Sequence, residues 1–186
     1  MKITVVTGNA NKASEVAAFF GGKIEVIHVA LDIPEYRSDD VSAIAREKAR
    51  YAYAHLATPL IVDDTSFVID ALNGFPGPYA AYVLKAIGNE GILKLMDGFP
   101  DRNAHFTTAI AYAEENGIRV FTGTIHGQII PVPRGTGGFG YDPIFEVAGR
   151  TLAELPLEEK SRMSHRALAL AAFREWFVPQ YTMGSL

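Results

Sequence analysis

Between Lys2 and Thr7 the chain reads KITVVT, a β-branched run with little alternation, as in a strand buried on both faces. Ala13, Val16, Ala17 and Phe20 follow at helical spacing until Gly21-Gly22 stops the helix. Residues 23–29 read as a second strand, so the chain opens with a β-α-β unit. From Val41 an apolar stripe runs through Ile44, Ala45, Ala49, Ala52 and Leu56, with Lys48 lying on it. A third strand, PLIV at 59–62, is expected to stop at the acid pair Asp63-Asp64, and SFVIDAL extends the sheet before the turn-rich NGFPGP. Segments 79–87 and 90–97 read as helical, the second closed by Gly98. Alternation over 104–113 and 120–130 predicts two long antiparallel strands joined at EENG. In the last helix Leu168, Ala171, Ala172 and Trp176 share a face behind an N-cap at Ser164, and the final TMGSL is expected to fray. A parallel beginning and a hairpin-like middle predict a mixed sheet in an α/β fold. With no repeat and no linker, residues 1–186 read as one domain.

Composition narrows the function classes. A net charge of −4 opposes broad nucleic-acid binding, which needs a basic face. The absence of cysteine removes disulfides, thiolate catalysis and Cys-ligated metals. The apolar run ITVV is too short for a signal peptide, and no run approaches membrane-spanning length. These features read as a protein without a membrane or nucleic-acid partner, expected in the cytoplasm.

Two helix starts carry the wrong charge. Asn9 is the expected N-cap of the first helix, which puts Lys12 at the third helical position, where the helix dipole disfavours a cation. An exposed lysine there costs only about 0.3–1 kcal/mol, whereas a bound phosphate would reverse the sign. In MSHRALALAAF, His165 and Arg166 repeat the anomaly behind Ser164. Together the two starts point to a polyanion or a carbonyl-rich ligand, with Lys160 either a further cation or a solvated member of the LEEK cluster.

A polyphosphate substrate arrives with Mg²⁺, which takes carboxylate oxygens and water. Asp63, Asp64 and Glu35 are the candidate ligands. Neighbouring strand residues point to opposite faces, so one acid of the pair faces the ligand and the other caps a turn into Thr65-Ser66. Asp39-Asp40 are assigned to capping the next helix, and Lys48 reads as a snorkelling side chain ahead of a phosphate contact. GTGGFG at 135–140 matches G-x-G-x-x-G but lacks the strand before and the helix after it. It reads as a flexible glycine loop presenting Phe139, Tyr141 and Asp142 for base stacking and edge recognition, or as a turn with Phe139 packed in the core.

Taken together, TGNANK, IPEY, VDDTSF, GFPGPY, GFGYDPIF and EEKSRMSHRALAL resemble, in order and spacing, the inosine triphosphate pyrophosphatase family. Its members hydrolyse non-standard purine nucleoside triphosphates. The resemblance implies an elongated mixed sheet with two lobes around a cleft, usually in a homodimer. It implies that Thr7, Gly8, Asn9, Ala10, Asn11 and Lys12 hold the triphosphate. Asp64 would be the catalytic base and a Mg²⁺ ligand, with Glu35 the second ligand and Thr65 near the substrate. Phe139, Gly140, Tyr141, Asp142, Lys160, His165 and Arg166 would form the nucleoside pocket, with His165 or Arg166 donating to the 6-oxo group. Many members carry DSGL where this chain has DTSF, which keeps a hydroxyl at Thr65 but replaces glycine by Ser66. A pyrophosphatase of another base preference and a non-catalytic nucleotide-binding protein are the alternatives.

Overall fold

The computed structural model describes residues 1–182; residues 183–186, most of the segment expected to fray, lie outside the described residues. The chain runs β1 (Lys2–Val6), α1 (Ala10–Phe20), β2 (Glu25–Val29), α2 (Val41–Leu56), β3 (Leu60–Ile69), β4 (Pro76–Gly77) and α3 (Ala80–Leu95). It continues through β5 (Asn103–Glu114), β6 (Gly117–Ile129), β7 (Phe145–Val147), β8 (Arg150–Thr151), α4 (Leu157–Met163) and α5 (His165–Thr182). One open sheet takes the order β2-β1-β3-β5-β6-β7-β8, with β4 beside β3. β1 is parallel to β2 and β3, and the remaining pairings are antiparallel, giving the expected mixed sheet. The β5–β6 hairpin closes through Glu115-Asn116, its register running from Asn103↔Gln128 to Glu114↔Gly117.

Side-chain size decides what packs on each face. Ala45, Ala49 and Ala52 of α2 meet Ala109, Ala111 and Ala113 of β5, so short side chains on both partners let the helix lie close to the sheet. On the opposite face Ile61, Ile110 and Tyr112 pack under α1 and α5 with Val16, Phe20, Phe173 and Phe177. A third cluster, with Phe67, Phe106, Tyr141 and Phe145, fills the far end of that face.

Three expectations are corrected. β3 does not stop at Asp63-Asp64 and no turn follows: every residue from Leu60 to Ile69 pairs with β5, and this unbroken ladder outweighs the local turn preference of the acids. On α1, Ala17 is exposed while Glu15 is buried, because Glu15 faces cations of α4 and α5. On α5 the buried stripe is Arg166, Leu170, Phe173 and Phe177, and Leu168 is exposed; burial of Arg166 turns the helix by about one position from the expected face. The two expected helical segments around residue 88 are α3 itself, broken where Gly88 takes φ +64°.

Candidate active site

The two edges of β3 differ. Toward β5 it is fully paired; on the other side β1 takes only Leu60 and Ile61, and β4 takes Phe67 and Val68. Residues 62–66 therefore have no strand neighbour on that side among the described residues. The notch lies beyond the carboxyl end of β1, the crevice position of open α/β sheets. Asp63, Asp64 and Thr65 fall within it, and the loop from β1 to α1 borders it.

That loop is organised by its own side chains. The Thr7 hydroxyl accepts from the Asn9 N–H at 3.1 Å, and the Asn9 side-chain Oδ1 accepts from the N–H groups of Asn11 and Lys12 at 3.0 and 3.4 Å. Asn9 is thus the N-cap expected. Three N–H groups that sequence reasoning offered to a phosphate already have these partners. The Lys12 ammonium reaches over to β3, 3.1 Å from the Asp63 carboxylate and 3.3 Å from its backbone carbonyl.

Asp63 starts a buried chain of alternating charge. Arg166 donates to it from Nε at 3.1 Å and Nη2 at 2.9 Å, and donates onward to Glu15 and to the Thr65 hydroxyl. Glu15 pairs in turn with Lys160, and Lys160 with Asp142. Burial pushes the Asp63 carboxyl up, but the Lys12 and Arg166 charges outweigh it and hold the group well below the usual carboxylate range. For Asp142 burial wins over the pull of Lys160, and its carboxyl titrates above the usual range. The chain sits between apolar layers: on this face of β3, Ile61 precedes Asp63 and Thr65, and Phe67 follows. Lys160, 2 % exposed, is no solvated member of the LEEK cluster.

Asp64 points to the other face, as strand geometry requires. Its carboxylate lies 3.0 Å from the Lys48 ammonium, and Lys48 lies 2.9 Å from Glu35, whose side chain is 85 % exposed. Lys48 is therefore neither a snorkelling chain nor free for a phosphate; it bridges the two acids predicted as metal ligands. Burial lowers its pKa, but Asp64 and Glu35 overcome this and raise it. Among the described residues no group of three or more His, Asp or Glu converges to hold a metal.

The glycine loop presents less than expected. Tyr141 is a core residue, its hydroxyl donating to the Ala80 carbonyl at 2.7 Å and its ring 4.6 Å from Phe67. Asp142 is buried too, accepting from the Phe139 N–H at 2.6 Å while bound to Lys160. The glycine loop and the family resemblance both put these two residues on the ligand side. Instead Gly138 folds onto the Asp142 carboxylate with φ +67°, where a Cβ would meet the carboxylate oxygen at 2.1 Å, so this site requires glycine. Phe139 and Gly140 stay partly open, with the Lys160 ammonium 4.6 Å from the Phe139 ring centre. Asn89 of α3 anchors the loop by donating to the Gly140 carbonyl at 3.0 Å.

α5 brings the last members over the sheet. A Cβ on Gly123 of β6 would meet the His165 carbonyl at 2.3 Å, so the missing side chain lets the helix start settle there. Ser164 caps it, accepting from the Ala167 N–H at 3.2 Å. His165 is buried, stacked on Phe106 at 4.8 Å, and its Nδ1 lies 2.6 Å from the Thr108 hydroxyl. Thr108 in turn lies 2.7 Å from the Thr65 hydroxyl. Burial first, then the Arg166 and Lys160 charges, push the His165 ring well below its ordinary range and keep it neutral.

Glu15 and Thr108 are the residues sequence reasoning missed. Glu15 carried a signal: it follows Lys12 by three positions, so it shares the face turned toward the anomalous cations. Thr108 carried none, since a threonine in a strand is ordinary.

A model of the Ham1 family matches residues 3–176. A dITP/XTP pyrophosphatase of Methanopyrus kandleri is 50 % identical over 183 residues, covering 95 % of this chain and 96 % of the relative. Inosine triphosphate pyrophosphatase 2 of Trypanosoma cruzi is 44 % identical, covering 95 % and 92 %. The solved structure of a HAM1 protein from Coxiella burnetii superposes with a TM-score of 0.84 at 31 % identity, covering 96 % of this chain and 99 % of that one.

Proposed function

The chain belongs to the Ham1 family, and on that premise we propose the chemistry of its notch. It hydrolyses non-standard purine nucleoside triphosphates, ITP, dITP and XTP, to the monophosphate and pyrophosphate, as the names of its relatives indicate. One observation carries the site assignment. Two adjacent carboxylates lie on a strand segment open at one edge, one clamped by buried cations and the other left to Lys48 and an exposed acid.

Charge counting supports a metal-assisted reaction. Lys12, Lys48, Lys160 and Arg166 face Glu15, Glu35, Asp63, Asp64 and Asp142, four cations against five carboxylates. A triphosphate entering a site of net charge −1 needs added positive charge. Glu35 and Asp64 fit Mg²⁺, because both already converge on a cation, the Lys48 ammonium. Two carboxylates suit an ion that takes its remaining oxygens from water and phosphate. When bound, Mg²⁺ supplies charge withdrawal from phosphorus and stabilises the leaving pyrophosphate.

The chain's own groups do the rest. The partly exposed Lys12 ammonium, turning from Asp63, and the positive end of the α1 dipole, rather than its paired N–H groups, bind phosphate oxygens. Asp64 orients a water and takes its proton as the oxygen bonds to the α-phosphorus and the α–β anhydride bond breaks. Phe139 stacks on the base, and a donor beside it accepts only a 6-oxo purine. A site built to pair with that oxygen rejects adenine by up to about 10⁴–10⁵. A homodimer, carried by the family resemblance, and a cytoplasmic location, carried by the composition, complete the proposal; sedimentation tests the first.

The direct test incubates the purified protein with Mg²⁺ and, separately, ITP, XTP, ATP and GTP, and identifies the products. Monophosphate plus pyrophosphate, fast from ITP or XTP and abolished by chelation, is the expected result. Release of single phosphates, or binding without turnover, overturns it.

A further inference from the structure

Arg166 and His165 are the two donors available to a 6-oxo group, and the structure separates them. Arg166 is 1 % exposed and makes four hydrogen bonds inward, to Asp63 twice, to Glu15 and to Thr65. A guanidinium has only five N–H groups, so Arg166 is nearly spent on the protein itself. His165 makes one hydrogen bond among the described residues, at Nδ1. Its Nε2 has no protein partner there, nor is it sealed off from solvent, since the one fully buried, unpaired side-chain polar atom among the described residues is Asn89 Oδ1.

We propose that Thr108 is the positioning residue for base selection: its hydroxyl donates to Nδ1 of His165 and holds the imidazole in the Nε2–H form, which offers a donor to a 6-oxo group and repels a 6-amino group. The inference rests on the base preference assigned above and names the group that enforces it.

The polarity of the hydroxyl relay carries the argument. Arg166 can only donate, and its Nη2 lies 3.3 Å from the Thr65 hydroxyl. If Thr65 then donates to Thr108 and Thr108 to His165, every hydroxyl proton has an acceptor. In the reverse polarity Nδ1–H donates to Thr108 and Thr108 to Thr65, and the Thr65 proton is left with no acceptor in the relay. Thr108 is completely buried, so its hydroxyl is confined to Thr65 and His165. Thr65 is half-buried, so the reverse polarity has to send its proton out of the protein, and the forward polarity alone closes every hydroxyl proton within it. The stack of His165 on Phe106, 19° from parallel, fixes the ring plane. Burial keeps the ring neutral, so the choice of tautomer decides what Nε2 presents.

Long-range ¹H–¹⁵N spectra of the labelled protein read the tautomer directly, with His165→Gln identifying the signal. The Nε2–H pattern is expected in the wild type and in Thr108→Ser, and a mixture of tautomers in Thr108→Val. In parallel, the ratio of kcat/KM for ITP over ATP falls about tenfold in Thr108→Val and returns in Thr108→Ser. An Nδ1–H pattern in the wild type overturns the proposal. So does an unchanged ITP preference in a folded Thr108→Val, or an equal loss on both nucleotides. If Thr108→Val does not fold, the wild-type and Thr108→Ser spectra still decide. Should the wild type hydrolyse no nucleotide, the functional reading falls while the spectrum independently judges the tautomer.

Discussion

Asp63 and Asp64 are neighbours with the same side chain and opposite circumstances. Asp63 enters a layer between two apolar clusters and is gripped by Lys12 and Arg166; Asp64 meets one lysine and shares it with a solvent-exposed glutamate. A buried acid with two counter-charges is held in one geometry, and removing it leaves Arg166 with Glu15 alone and takes the carboxylate partner from Lys12. An acid at an open strand edge, whose carboxylate accepts from the Thr65 N–H at 2.9 Å and shares one exchangeable lysine, is able to take a proton or a metal. The comparison assigns architecture to Asp63 and chemistry to Asp64, although the sequence presents them as a pair.

The sharpest way to break this comparison is Asp64→Asn. Turnover of ITP is expected to fall by about 10²–10⁴ while the melting temperature stays near that of the wild type. Steady-state kinetics beside thermal melting reads both, and a large loss of stability in this variant would erase the distinction. Asp63→Ala comes next, with an expected cost of about 3–5 kcal/mol in denaturant unfolding, because the buried Arg166 is left with Glu15 alone and the half-buried Lys12 loses its carboxylate partner. The same group predicts a pH signature. Its folded pKa is depressed, so its stabilisation is complete above the unfolded carboxylate range and is lost as pH falls below it. Asp63→Ala should lose less stability than the wild type over that acid window. The smallest effect sharpens the Asp64 side. Lys48→Met frees Glu35 and Asp64, and Mg²⁺ binding to the nucleotide-free protein should tighten by about tenfold in calorimetry. Weaker binding would mean that the two acids depend on Lys48 for their convergence.

Much of this was legible in the chain. Asn9 and Asp40 were readable as caps from their place before apolar periodicity, and both accept from the N–H groups of their helices. The β5–β6 hairpin followed from alternation and a turn signal. The charged start of α5 points to His165 and Arg166, and Arg166 does lie over the Phe139 ring together with Lys160. Other parts were hidden because hydrophobic scales grade residues singly. Such a scale puts Glu15 on the surface and Leu168 on a core face that Arg166 occupies instead. Tyr141 and Asp142 looked available on a glycine loop, yet that loop is pinned by the partners they find inside.

The sequence by itself determined the periodicities, the caps, the mixed sheet and the misplaced cations, since each rests on residues within a few positions of one another. Only the tertiary structure decided which acid faces which cation, that Lys48 stands between Glu35 and Asp64, and that Thr108 reaches His165 across 57 positions. Electrostatic partners and hydroxyl relays depend on distances of a few ångströms between distant segments, and those distances exist only once the sheet has been assembled.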